Sequence, residues 1–175
     1  MVSSLFFVMA TVPITSIEFR NALGHFASGV TVITAQRASG RVHGMTASAF
    51  ASVSLDPQLV LVCVAERAVM LGVLQRERRF GINILNANQR ALSEFFAQPD
   101  QPEDAERCLG VRFRWTETGI PLLEGTLVQL ACNVVTAHAA GDHTVFIGEV
   151  ESANITSGDP LLHYRGQYRQ IGPVR

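Results

Sequence analysis

The sequence predicts an α+β chain, mainly β, whose antiparallel strands close into a barrel. Two observations carry that expectation. About seven strand-like runs stand against two or three helical patterns. Tight turns at Ser39-Gly40 and Ala140-Gly141-Asp142 join neighbouring runs into long hairpins, and such hairpins in a small α+β chain suggest a barrel. The chain has 175 residues, enough for one domain with a real core and short for two. It shows no internal repeat. Residues 1–15 read as an N-terminal tail and 16–175 as the single domain.

Ser16 opens a helical pattern in which Ile17, Phe19, Leu23 and Phe26 fall near one face. Ser16 suits the N-cap and Gly29 the stop. Val30-Thr31-Val32-Ile33-Thr34 is β-branched and reads as a strand. It should form a hairpin with a long strand, Met45 to Ser54. Asp56-Pro57 stops that strand, because proline lacks the ladder N–H and restricts its predecessor. Leu59 to Val64 is continuously apolar, the pattern of a strand buried on both faces. Arg67 to Arg79 reads as a helix with Val69, Val73 and Leu74 inward. Phe80 to Leu85 is a strand and Gln89 to Phe96 a helix. Residues 98–104, twice broken by proline, form a loop within the domain. Val111 to Trp115 alternates, Leu127 to Thr136 is a long strand, and His143 to Glu151, extending towards Ile155, is its partner. Leu161 to Ile171 closes the chain.

Composition excludes several classes of function. Hydrophobic residues make up 47% and charged ones 17%, the balance of a globular protein. A net charge of −1 gives no electrostatic case for nucleic acid or an anionic membrane. All 14 basic residues are arginine, so lysine Schiff-base chemistry and a lysine-dependent P-loop are ruled out. Arginine, hydroxyls and backbone N–H groups remain as phosphate ligands. Cys63, Cys108 and Cys132 are widely spaced and form no CxxC pair, so no zinc or dithiol site is expected. Cys63 and Cys132 sit in strand patterns as small hydrophobes, and a reducing, cytoplasmic compartment fits. The apolar run Leu5 to Ala10 has no basic residue before it and is too short to span a bilayer, so neither a signal peptide nor a membrane anchor is expected.

Residues 43–57, HGMTASAFASVSLDP, carry the strongest functional pattern. At a period of two they separate into Gly44, Thr46, Ser48, Phe50, Ser52 and Ser54 on one face, and Met45, Ala47, Ala49, Ala51 and Val53 on the other. Small side chains let a flat ligand approach the backbone, and hydroxyls can donate to phosphate or carbonyl oxygens. The plainer alternative is an alanine-rich strand with a solvated Ser/Thr face. GxGxxG, GxxxxGK[ST], HExxH and GxSxG patterns are all absent. None of the five histidines forms an i, i+4 helical pair, so no metal site is expected. His143, after Gly141-Asp142 at a strand mouth, can hydrogen-bond a ligand amide or phosphate, or simply be a solvated turn residue.

Four blocks, in order, resemble the short-chain flavin reductases, the reductase components of two-component flavin-dependent monooxygenases. They are Phe26 to Thr34, Gly44 to Pro57, Gly141 to Val150 with its Gly-Asp-His turn, and Pro160 to Arg169. The resemblance implies a split β-barrel, homodimeric, that uses NADH or NADPH to reduce FMN or FAD for a separate monooxygenase. It places Thr46, Ala47, Ser48, Ser52 and Ser54 along the flavin, with Gly29 and Val30 close to the ring. It places His143 at the nicotinamide, with Tyr164 and Arg165 assisting. The loop that is often serine-rich in the family reads Ala65-Glu66-Arg67-Ala68 here. Either Arg67 replaces the serine hydroxyls at the phosphate, or the phosphate binds differently, so the choice of FMN or FAD stays open. His163 also departs from the family, standing where an aromatic is common. Hydride transfer needs no acid–base residue, since the flavin accepts the hydride; it needs a near-attack pose of about 3–3.5 Å and donors near the reduced ring. Two other classes fit less well: a flavin-storage protein without nicotinamide activity, and a pyridoxamine-phosphate-oxidase-like enzyme, for which the absence of lysine is unfavourable.

Overall fold

The computed structural model describes residues 13–102 and 105–172. Its centre is a seven-stranded antiparallel sheet built from β2 (Thr31–Gln36), β3 (Val42–Ala47), β4 (Phe50–Leu55), β5 (Gln58–Ala65), β6 (Arg79–Ile84), β9 (Val128–Ala140) and β10 (His143–Ile155). The strand order is β3-β2-β6-β9-β10-β5-β4. β3 and β4 adjoin in sequence yet stand at opposite ends of that order. Only two residues, Ser48 and Ala49, join them, so the sheet must curl until its ends meet there. The Cys63 N–H donates to Ala49 O at 3.1 Å and fastens the corner. The α+β barrel expectation therefore holds.

The same corner corrects the long strand expected from Met45 to Ser54. The chain changes partner within it: Thr31 to Gln36 pair with Ala47 to Val42, whereas Phe50 to Leu55 pair with β5. A period-two pattern cannot register such a change. The hydroxyl-bearing face is consequently not continuous. On β3 it is covered by α3 (Arg90–Phe96): Thr46 Oγ1 donates to Ser93 O at 2.7 Å, and a Cβ on Gly44 would collide with the Phe96 ring. On β4 both faces are largely open, with Val53 and Leu55 exposed.

The barrel interior is filled by Ile33, Val62, Val64, Phe80, Ile82 and Phe146, all fully buried, with α2 (Val69–Glu77) adding Met70 and Leu74. Val69 points outward, 51% exposed, and Met70 takes the inward place expected of it. β5 alternates: Val60, Val62 and Val64 are buried, while Leu59, Leu61 and Cys63 are half-buried, so the strand is covered on one face rather than two. A second cluster packs α3 against the outside of the barrel through Val30, Val32, Leu85, Phe96, Leu123 and Leu161. Asn83, wholly buried within β6, donates to Val32 O at 2.8 Å and accepts from Leu123 N–H at 2.7 Å, pinning β8 (Pro121–Leu123) to the barrel. Three short pieces had no sequence signal strong enough to find: β1 (Ser28–Gly29), β8 and the helix α4 (Ala105–Leu109). β7 shrinks to Phe113–Trp115, and the closing segment is a hairpin of β11 (Leu162–Tyr164) and β12 (Gln167–Arg169).

Helix α1 (Ser16–Leu23) is capped by Thr15 rather than Ser16. Thr15 Oγ1 accepts from Glu18 N–H at 3.2 Å, while Thr15 N–H donates to Glu18 Oε2 at 2.9 Å, a reciprocal capping box. Thr15 thus belongs to the fold, not to a tail ending at residue 15; residues 1–12 of that tail lie outside the described residues. The helix ends at Gly24, five residues before the expected stop. None of its residues is buried, and Ile17, Phe19, Leu23 and Phe26 are 72%, 54%, 57% and 81% exposed. The amphipathic pattern is real, but its apolar face is not covered by the described residues. With no packing from the described residues behind it, α1 depends on its cap. Thr15→Ala should raise hydrogen exchange of the α1 amides about fivefold, the equivalent of about 1 kcal/mol, and leave global unfolding unchanged.

Candidate functional site

Two hollows adjoin the corner where the barrel closes. The smaller, about 320 Å³, is bounded by Phe26, Ala27, Ser28, Gly29, Ser48 and Phe50. The larger, about 620 Å³, runs between the β3 edge, the start of α2 and the end of α3, and includes His43, Thr46, Ala65, Arg67, Gln98 and Gln101.

Several of the expected residues reach these hollows. Gly29 is exposed, and a Cβ built on it would meet nothing within 4 Å, so the backbone there is open to a flat ligand. Ser48 lines the smaller hollow, whereas Ser52, further along β4, lines neither; both are exposed, and neither hydroxyl has a partner among the described residues. Arg67 lines the larger groove. Glu66, beside it, is tied elsewhere: Thr144 Oγ1 donates to Glu66 Oε1 at 2.7 Å. The arginine of that loop, not the acid, therefore faces the groove.

Others are placed differently. Val30 is 2% exposed, its N–H donates to Leu161 O at 3.1 Å, and its carbonyl accepts from Leu85 N–H at 3.0 Å. With side chain and backbone both used, it is a core residue with no free group to offer a ligand. Ala47 is 8% exposed and points into the barrel, while its carbonyl accepts from Thr31 Oγ1. Thr46 reaches the groove with its hydroxyl already given to Ser93. Ser54 accepts from Asp56 N–H at 3.2 Å and sits six residues from Ser48, roughly 20 Å along an extended chain. It belongs to the turn into β5 rather than to the corner.

The three residues expected at the nicotinamide separate into two groups. His143 lies opposite Ala65 where β10 meets β5, next to the larger groove. Its Nδ1–H donates to Asp142 Oδ1 at 2.7 Å, and its side chain is 44% exposed. That bond fixes the tautomer: in the neutral ring, Nε2 is left as an acceptor. The same bond, first of all, holds the Asp142 carboxyl below its usual range. Tyr164 and Arg165 lie instead beside the end of α1. The Tyr164 ring meets His25 edge-on at 6.2 Å, and Arg165 N–H donates to Gly24 O at 2.8 Å.

His43 was missed by the sequence reading. It is 4% exposed, and its Nδ1 stands 2.8 Å from Arg37 Nη2. Burial, then the Arg37 guanidinium, push its imidazole down to about 4. No spacing rule singles it out, because its partner lies across the β2–β3 hairpin.

Residues 23–172 match the flavin reductase like domain. The chain belongs to this family. Flavin reductases dominate its relatives over nearly their whole length. An NADH-dependent flavin reductase of Rhodococcus sp is 46% identical over 90% of this chain and 88% of its own. The reductase component of 4-nitrophenol 4-monooxygenase/4-nitrocatechol 2-monooxygenase of Rhodococcus opacus is 37% identical over 93% and 85%. The FMN reductase (NADH) SmoA of Agrobacterium fabrum is 40% identical over 86% and 83%. Among solved structures, the flavin reductase PheA2 in its native state aligns with a TM-score of 0.82 at 44% identity, over 91% of this chain and 100% of that one. The Streptomyces globisporus NADH:FAD oxidoreductase SgcE6, in complex with NAD and FAD fragments, also gives 0.82, at 34% identity over 90% and 93%.

Proposed function

We propose that this chain transfers hydride from NADH to FMN or FAD and releases the reduced flavin to a separate monooxygenase. The observation that carries the reading is the end-to-end likeness to an NADH-dependent flavin reductase, 46% identical over 90% of the chain. The family's reductase components of monooxygenases support the handover. NADH rather than NADPH is proposed because the relatives are named for it.

When bound, the flavin supplies the hydride acceptor, so no acid–base constellation is required of the protein. The chain's part is placement. Gly29 leaves room for the ring, Ser48 and Ser52 donate to its polar edge, and Arg67 meets the phosphate end. His143, oriented by Asp142, accepts from the nicotinamide carboxamide through Nε2. Tyr164 and Arg165 are left to the flank beside α1. A second copy of the chain is the proposed cover for the exposed face of Ile17, Phe19 and Leu23, since an apolar face this open marks an interface. The free thiols of Cys63, Cys108 and Cys132 suit a reducing cytoplasm. Among the described residues no helix is long and apolar enough to cross a membrane.

Mixing protein, NADH and flavin tests the reading and separates it from a storage protein. Nicotinamide absorbance should fall only when protein and flavin are both present; flavin binding without NADH consumption contradicts it. His143→Ala should lower kcat/KM for NADH by about tenfold, the size of one good hydrogen bond, while flavin affinity stays within a few-fold. Lost flavin binding with normal nicotinamide kinetics would overturn the role given to His143.

A further inference from the structure

Among the described residues, His43 and Arg67 are the two ionisable side chains on the wall of the larger groove. His43 is 96% buried, since only 4% of its surface is exposed, and its chemistry is fixed by its neighbour. A guanidinium has donors and no acceptor, so Arg37, 2.8 Å from Nδ1, requires that nitrogen to be an unprotonated acceptor. The ring proton therefore sits on Nε2. That N–H has no partner among the described residues, yet no enclosed side-chain nitrogen or oxygen lacks one, so Nε2 opens to the groove. The imidazole is a neutral, rigidly held donor with one free hydrogen bond.

What faces it selects the ligand. Arg67 makes no hydrogen bond or ion pair among the described residues. The nine-residue helix α2 starts two residues later with no side chain capping it; Leu71 N–H is taken by Ala68 O at 3.0 Å, which leaves the N–H groups of Val69 and Met70 at the helix start. Ala65 and Ala68 keep the approach clear. A cation, a helix start and a buried donor all favour one kind of atom, an anionic oxygen; among the described residues no carboxylate lines the groove, and the one that feels the Arg67 charge, Asp142, is already held by His143.

We infer that His43 is a binding residue of this groove, donating from Nε2–H to a phosphoryl oxygen of the nucleotide whose charge Arg67 meets. The inference rests on the flavin reductase reading and adds a residue to it. Two substrates could bring that oxygen, the phosphate end of the flavin or the pyrophosphate of NADH, and the experiment distinguishes them.

In the flavin arm, affinities for FMN and for riboflavin, which lacks the phosphate, are compared in wild type, Arg67→Gln, His43→Phe and His43→Gln. In the nicotinamide arm, kcat/KM is compared for NADH and for reduced nicotinamide riboside. His43→Phe should lower the preference for the phosphorylated partner in one arm by about five- to tenfold, leaving the phosphate-free compound unchanged. His43→Gln, which keeps an N–H donor, should recover most of it, and Arg67→Gln should weaken the same arm. The arm that moves names the substrate. A preference unchanged in both arms for His43→Phe, or an equal loss for both members of a pair, overturns the inference. Should His43→Phe not fold, the wild-type protein decides: inorganic phosphate should shift the His43 Nε2–H resonance, and an unmoved resonance overturns it. Failure of the underlying reading looks different, because then no flavin is reduced by any form of the protein.

Discussion

Acidification from pH 6.5 to 4 should remove about 3 kcal/mol of folding stability through His43 alone. The imidazole titrates near 6.5 in an unfolded chain, and burial with the Arg37 guanidinium lowers it to about 4 in the fold. Between those values the unfolded chain binds a proton that the native state refuses. Unfolding is therefore favoured progressively as pH falls through that window, and the contribution of the neutral ring is complete above 6.5. At about 1.36 kcal/mol per pH unit, the interval amounts to about 3 kcal/mol. Glu18 and Asp142, whose carboxyls are held low by Thr15 and by His143, act at lower pH and are fully exposed, so they blur this window little. Urea unfolding at successive pH values should show the slope in wild type and lose most of it in His43→Gln. An equal slope in both would mean that His43 is not buried neutral.

Replacing Ser48 and Ser52 together by valine should weaken flavin binding ten- to a hundredfold, at about 1 kcal/mol or more for each lost hydrogen bond. Both side chains are exposed beside the barrel corner, and valine suits an extended chain, so the variant should unfold at the same urea concentration as the parent. The loss then belongs to the site and not to the fold. Quenching of flavin fluorescence on titration measures it. Unchanged affinity in the folded double variant would show that the ring lies elsewhere.

How much was legible follows the range of each interaction. The β9–β10 hairpin, the β2–β3 pairing, α2 and α3 were read from local pattern, because turn residues and periodicity encode them within a few positions. The break at Ser48-Ala49 was not, since an alternating pattern looks the same whether a strand keeps its partner or exchanges it. The burial of Val30 was not legible for a related reason: its two backbone bonds go to Leu161 and Leu85, far away in sequence. The α1 face was read correctly as apolar, but periodicity cannot say whether the covering surface belongs to the same chain. Ser48 and Ser52 came from the period-two hydroxyl pattern together with the family resemblance, Gly29 and Arg67 from the resemblance; all but Ser52 line a hollow, and Ser52 is exposed on β4. His43 escaped, because its importance arises from Arg37 across a hairpin and from the groove above it.

The central claim is that this protein moves hydride from NADH to flavin. Its most direct test is an anaerobic mixture of the protein, excess FMN or FAD, and a limiting amount of NADH. Flavin absorbance should bleach in step with nicotinamide, one flavin reduced for each NADH consumed, much faster than without protein. Flavin that stays oxidised while the folded protein binds it would contradict the account.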